Sequence, residues 1–246
     1  MPTAAAPAAD ALPWHLKDDR IVWRGALRGC PPSAQHGGAC RNRDADPEKG
    51  PAASQAPPLG SASRWGAFAA LNASRYADVG FTTGPREWLT DPQLCPAGPD
   101  GRSQCQKGRL DPTEQLRAKI VLVIDGASFP SNAVWPYLTN SVVMSPLSAY
   151  ETFADVGMLP WVHFLPVRLD FADAEQTARW CFEHVGRCRA IAEAGRAHMR
   201  RCFNVSPGAD AAQGHLPASS FERAVEAIIV AHMLANAEPG PCSCLA

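Results

Sequence analysis

Asp125-Gly126 ends an apolar run, Ile120-Val121-Leu122-Val123-Ile124, and is followed by the small residues Ala127 and Ser128. A buried strand that stops on small residues lets backbone N–H groups approach a ligand closely. In open α/β sheets, ligands sit beyond the carboxyl ends of the strands. A helix starting after the loop would aim the positive end of its dipole at the same place. The chemistry such a stretch serves is anion binding, a phosphate above all. An ordinary strand-to-helix turn uses the same residue types, so the types alone leave both readings open. The sequence has no G-x-G-x-x-G, no G-x-x-x-x-G-K, and no D-x-D directly after the strand.

Other chemistry-bearing residues have blander readings beside them. Asp44-Ala45-Asp46 has the D-x-D form that many sugar-nucleotide enzymes use to hold a divalent metal, but it lies among Pro, Gly, Ala and Ser and reads as a solvated loop. His163, in Pro160-Trp161-Val162-His163-Phe164, could face a ligand; a lone histidine there is more often a hydrogen-bonded core residue. Arg187, Arg189, Arg196, Arg200 and Arg201 fall mostly on one helix, as a solvated face does. Nine cysteines leave at least one thiol unpaired or bridged to another chain. Cys30/Cys40 and Cys95/Cys105 each close a short Pro/Gly-rich loop and suit local disulfides. Zinc is disfavoured, because C-x2-C does not occur and Cys242-Ser243-Cys244 is a lone C-x-C.

The elements that must position these residues alternate. Strands are expected at Ile21-Val22-Trp23, Tyr76 to Thr82, Lys119 to Ile124, Ser141 to Met144 and Val162 to Leu165. Helices are expected at 64–71, around Trp135 to Leu138, at 148–155, 174–185, 187–203 and 219–235. Strands alternating with helices predict a parallel, layered α/β sheet with helices on both faces. Residues 29–60 and 84–112 read as two long insertions without structure, poor in apolar side chains. Residues 1–13 and 239–246 read as flexible tails around one domain, 14–238.

A chain of 246 residues can bury a real core. With 23 basic and 24 acidic residues its net charge is −1, which gives no reason to expect nucleic acid or an anionic membrane as partner. No run is long and apolar enough for a membrane span. The N-terminus, MPTAAAPAADALP, lacks the basic and apolar regions of a secretory signal, which implies the cytoplasm if Met1 is the genuine start.

Taken in order, several short motifs resemble one family. They are Trp23-Arg24-Gly25, Arg64, Ala77-Asp78-Val79-Gly80-Phe81-Thr82, Ile124-Asp125-Gly126-x-x-Phe129 and Ser141-Val142-Val143. Tyr150-Glu151-x-Phe153, Leu159-Pro160-Trp161-Val162-His163-Phe164-Leu165-Pro166-Val167 and Ile191-Ala192-Glu193-Ala194-Gly195 follow. The series is similar to glycosyltransferase family 90, the capsule-associated and protein O-glucosyltransferase (Rumi-like, KDEL-motif-containing) group, over about 13–203.

The resemblance implies the C-terminal, donor-binding half of a GT-B fold, Rossmann-like in build. It implies a UDP-sugar as donor substrate, with no separate cofactor and no metal, and a protein or glycan hydroxyl as acceptor. The sugar it implies is glucose or xylose. Arg24 and Gly25 would meet the donor diphosphate, and Gly126, Ala127, Ser128, Phe129, Ser131 and Asn132 would cradle nucleotide and phosphate. Pro130 and Asn132 stand where the family loop usually has Ser and Arg, and Ser145 where many members have Lys. The half that supplies the catalytic base in the family is expected to be missing, so the base is unassigned. The family's compartment is the lumen of the endoplasmic reticulum or Golgi. The alternatives are a non-catalytic remnant and an α/β interaction module without transferase activity.

Overall fold

Ala118–Leu122 is buried at every residue, which a strand can be only if both of its faces are covered. In the computed structural model, which describes residues 12–27, 64–84, 86–90, 92, 95–97, 103–124, 134–147 and 155–202, this strand is the centre of a sheet. The five strands are β1 (Asp18–Ala26), β2 (Ala77–Thr83), β3 (Ala118–Leu122), β4 (Val142–Pro146) and β5 (Leu165–Val167). They lie in the order β2-β1-β3-β4-β5, and every pairing is parallel. The parallel α/β class expected from the alternating pattern, Rossmann-like by the resemblance, is the class observed.

Period-two alternation sorts the strand residues onto two faces. Ile21, Trp23, Val79, Phe81, Ile120 and Leu122 pack under α1 (Arg64–Leu71) and α4 (Ala174–Glu183). Val22 and Val121 point the other way, onto Leu116 and Trp135. On the first face the aromatic rings fix α1 against the sheet. Trp65 stacks on Phe81 with centroids 5.6 Å apart, and Trp23 meets Phe81 edge-on at 5.7 Å. Trp135–Leu138, expected as a short helix, is a 3-10 turn. α5 (Val185–Cys202) follows α4 after the single residue His184, and the Cys181–Cys188 disulfide ties the two together. At the amino-terminal end of the sheet the buried Lys17 donates to the Leu116 carbonyl and to Ser141 Oγ (3.1 Å), and Ser141 Oγ donates to Ala118 O (2.8 Å). A buried ammonium so satisfied joins the starts of β3 and β4 to the segment before β1.

Two expectations are corrected. The fifth strand begins at Leu165 rather than Val162, because residues 161–163 form a turn: Trp161 has φ 63°, and Leu159 O accepts from both Val162 N and His163 N. Residues 84–112 are not structureless throughout. They hold α2 (Arg86–Leu89) and the Cys95–Cys105 disulfide, and the start of α3 (Pro112–Gln115) is a capping box between Asp111 and Glu114. Residues 105–107 also run along the free edge of β2, with Phe81 N donating to Cys105 O and Lys107 N donating to Phe81 O, both at 2.8 Å. Their order comes from a covalent link and backbone pairing, neither of which needs apolar side chains. The other expected insertion (29–60), the Cys30/Cys40 pair, Asp44 and Asp46, both tails and the helix at 219–235 lie outside the described residues, as does nearly all of the helix at 148–155.

Candidate functional site

The sheet order puts its one reversal at β1. The chain leaves β1 for β2 on one side and returns to β3 on the other, and parallel sheets bind ligands in the crevice at the carboxyl end of such a reversal. The strands open there. β1 pairs with β3 through Ile21–Ile120 and Val22–Val121 and then no further, while β1 stays paired with β2 as far as Ala26–Thr83. β3 meanwhile stays with β4, Val123 N donating to Met144 O at 2.9 Å. The gap therefore lies between Trp23–Ala26 on one side and Leu122–Ile124 on the other. Carrying the register forward sets Gly25 level with Ile124, the residue before Asp125.

Of the expected site residues, Arg24 and Gly25 stand on the β1 wall of this crevice. Gly126, Ala127, Ser128, Phe129, Ser131 and Asn132 lie outside the described residues. Gly25 is bare for a local reason: a Cβ there would be 2.5 Å from Cζ2 of Trp23, so the indole folds over its backbone. That contact accounts for Trp and Gly two apart in Trp23-Arg24-Gly25.

Arg24 is half-buried, its side chain only 8% exposed, and heavily bonded. Its Nη2 donates to both carboxylate oxygens of Asp78 (2.9 and 2.8 Å), its Nη1 to Asp78 O (2.8 Å) and Trp23 O (3.0 Å), and its Nε to Gly108 O (3.2 Å). These five bonds engage all five N–H donors of the guanidinium. Asp78 also accepts from Lys107 Nζ at 2.7 Å. Burial pushes the Asp78 carboxyl up, but hydrogen bonds and charge from Arg24 and Lys107 outweigh it and hold the group below its ordinary value. Two cations thus share one carboxylate on the β2 side of β1. Arg64, the first residue of α1, adds a third cation at this end, its Nη1 donating to Ala26 O at 2.9 Å.

Sequence reasoning missed Asp78 and Lys107 as the partners of Arg24. The available signal was Asp78 itself, an acid inside the otherwise apolar run 77–81, where a carboxylate needs a cation. His163 is at the opposite end of the sheet, before β5. Its Nδ1 accepts from Leu159 N at 2.9 Å, so it is a hydrogen-bonded residue of the fold. In the basic run, Arg189 pairs with Glu193 one turn on, and Arg196 reaches Asn140. Among the described residues no group of three or more His, Cys, Asp or Glu is placed to hold a metal ion, and no helix is long and apolar enough to cross a membrane.

The part of the chain that builds the β3 side of the crevice matches a known family. Residues 98–206 match Glycosyl transferase family 90. A 63-residue stretch is 35% identical to the O-glucosyltransferase LpsA of Dichelobacter nodosus, covering 25% of this chain and 20% of that protein. Another of 97 residues is 27% identical to the uncharacterized protein 035R of Invertebrate iridescent virus 3, covering 39% of this chain and 9% of that one. The chain thus spans a fifth or less of the length of these relatives. The match takes in β3, β4, β5, α4 and α5, and over residues 98–206 the chain is similar to a glycosyl transferase family 90 domain.

Proposed function

We propose that this chain provides the donor-binding half of a UDP-sugar-dependent transferase, which moves glucose or xylose onto a hydroxyl of a protein or glycan. The observation that carries this reading is the parting of β1 from β3 where the two strands meet at the sheet's reversal. Departure of UDP develops negative charge on the diphosphate. Backbone N–H groups of the 126–132 loop and a cation from β1 stabilise it without a metal. Arg24 acts by exchange: its fork leaves Asp78 for a phosphate of the same bidentate geometry, and Lys107 stays to neutralise Asp78. The disulfides Cys95–Cys105 and Cys181–Cys188 support an oxidising compartment such as the endoplasmic reticulum or Golgi lumen. A second reading, a remnant or interaction module that binds no donor, is favoured by the full engagement of Arg24.

Calorimetric titration of UDP separates the two. Under the donor reading, Arg24→Ala costs about 1.5–3 kcal/mol of affinity, the range for hydrogen bonds to charged groups, in protein whose circular dichroism is unchanged. Asp78→Asn weakens the competing acceptor and tightens UDP binding. Absence of wild-type binding, or equal affinity in all three proteins, leaves the remnant.

A further inference from the structure

The turn before β5 is held by little besides hydrogen bonds. Trp161 carries φ 63°, a left-handed value that costs a bulky residue about 1 kcal/mol or more. Leu159, Trp161 and Val162 are 55%, 48% and 45% exposed, so apolar burial contributes modestly. Trp161 leans edge-on against Trp180 of α4, centroids 5.0 Å apart. Three kinds of bond close the turn: Val162 N (3.2 Å) and His163 N (2.9 Å) donate to Leu159 O, Trp161 N donates to Phe164 O (2.9 Å), and Leu159 N donates to His163 Nδ1 (2.9 Å). The last requires the neutral ring, with its proton on Nε2.

The surroundings of His163 oppose a second proton. From α5, the His198 ring lies 4.7 Å away, centroid to centroid, and the charge of Arg201 is felt at His163. His198 is itself fixed, its Nε2 facing Val156 O at 3.0 Å. Tyr137 packs on the same stretch of α5, beside Gly195, whose Cα abuts the His163 carbonyl. Asp155 is the acid on this side, and its charge acts on the buried Tyr137 phenol. Burial first, then His198 and Arg201, hold the His163 pKa below its ordinary 6.5.

We propose that His163 is an acid-released latch: protonation of Nδ1 turns an acceptor into a donor facing the Leu159 N–H, and residues 159–164 open while the sheet stays folded. Because the folded pKa is lowered, the stabilisation is complete above about pH 6.5 and is lost as pH falls through the lower folded value.

The test is amide exchange of the full chain by NMR across pH 7.5 to 4.5, corrected for intrinsic rates. Leu159 and Trp161 protection should fall by up to about tenfold per pH unit between about 6.5 and the folded His163 midpoint and level off below it, while β3 and β4 amides keep theirs. In His163→Asn, Oδ1 replaces Nδ1 as acceptor and does not titrate, so the profile should be flat. In His198→Gln the midpoint should rise. A flat wild-type profile, an unchanged fall in His163→Asn, or simultaneous loss of β3 protection each overturns the latch. Should His163→Asn not fold, the wild-type His163 ring proton resonances serve instead: their midpoint must lie below 6.5 and coincide with the amide transition, and disagreement overturns the proposal.

Discussion

Asp78 sits where burial and charge pull in opposite directions, and two cations decide the outcome. Its depressed pKa means that the ionised form stabilises the fold at neutral pH, fully above the ordinary 3.8 and progressively less as pH falls through the lower folded value. Asp78→Asn should therefore cost about 1.5–3 kcal/mol at pH 7, the range for charged hydrogen bonds. The gap to wild type should be narrower at pH 3 than at pH 7, and urea midpoints at the two pH values check both statements. At this scale the sequence was partly legible. His163 is the hydrogen-bonded residue its setting suggested. The binding partners of Arg24 were not readable, because Asp78 lies 54 residues away and Lys107 another 29 beyond it. Pairing across such separations is set by strand order, which residue types do not encode.

Two glycines of α5 separate helix propensity from packing. A Cβ on Gly195 would stand 2.3 Å from the backbone oxygen of His163, which cannot swing aside, whereas a Cβ on Gly186 would meet nothing within 4 Å. Gly195→Ala should destabilise by about 1–3 kcal/mol through overpacking. Gly186→Ala should stabilise by about 0.5–1 kcal/mol, because alanine loses less backbone entropy in a helix. Thermal melts of the two variants should move in opposite directions, and a common direction would mean that α5 does not cross so close to the turn before β5. The four earlier strands were legible to within a few residues because parallel strands buried on both faces read as continuous apolar runs. The fifth was placed early. Val162, His163 and Phe164 have strand-like types, yet a left-handed Trp161 and the bonds to Leu159 bend them into a turn. Order within 84–112 was legible only in the Cys95/Cys105 pair, expected as a disulfide and found as one: composition reports the burial of side chains, and that segment is fixed largely through sulfur and backbone.

The crevice exists only at the level of the whole sheet. Connection lengths announce parallel strands, and the right-handed crossover rule narrows their arrangement. Neither says that β2 turns outward from β1 while β3 turns inward, and it is this choice that sets the ends of β1 and β3 side by side at the reversal. The same layout leaves two outer strands, and the molecule treats each differently. β5 is three residues long with Pro166, which has no N–H, at its centre. β2 is seven residues long, and residues 105–107 already occupy its outward hydrogen bonds at Phe81, pinned by Cys95–Cys105. A bare outer strand is a template on which another chain can polymerise. The disulfide, whose two sulfurs are buried in the core, thus also holds a cap against self-association over this edge. In Cys95→Ser/Cys105→Ser, light scattering on mild heating should rise well before the far-UV spectrum changes. Scattering that tracks unfolding, as in the wild type, would assign the loop a purely internal role. The shield works during folding only from the moment Cys95 and Cys105 close, so the order in which sulfurs pair decides how long the outer face of β2 stays open to a second chain.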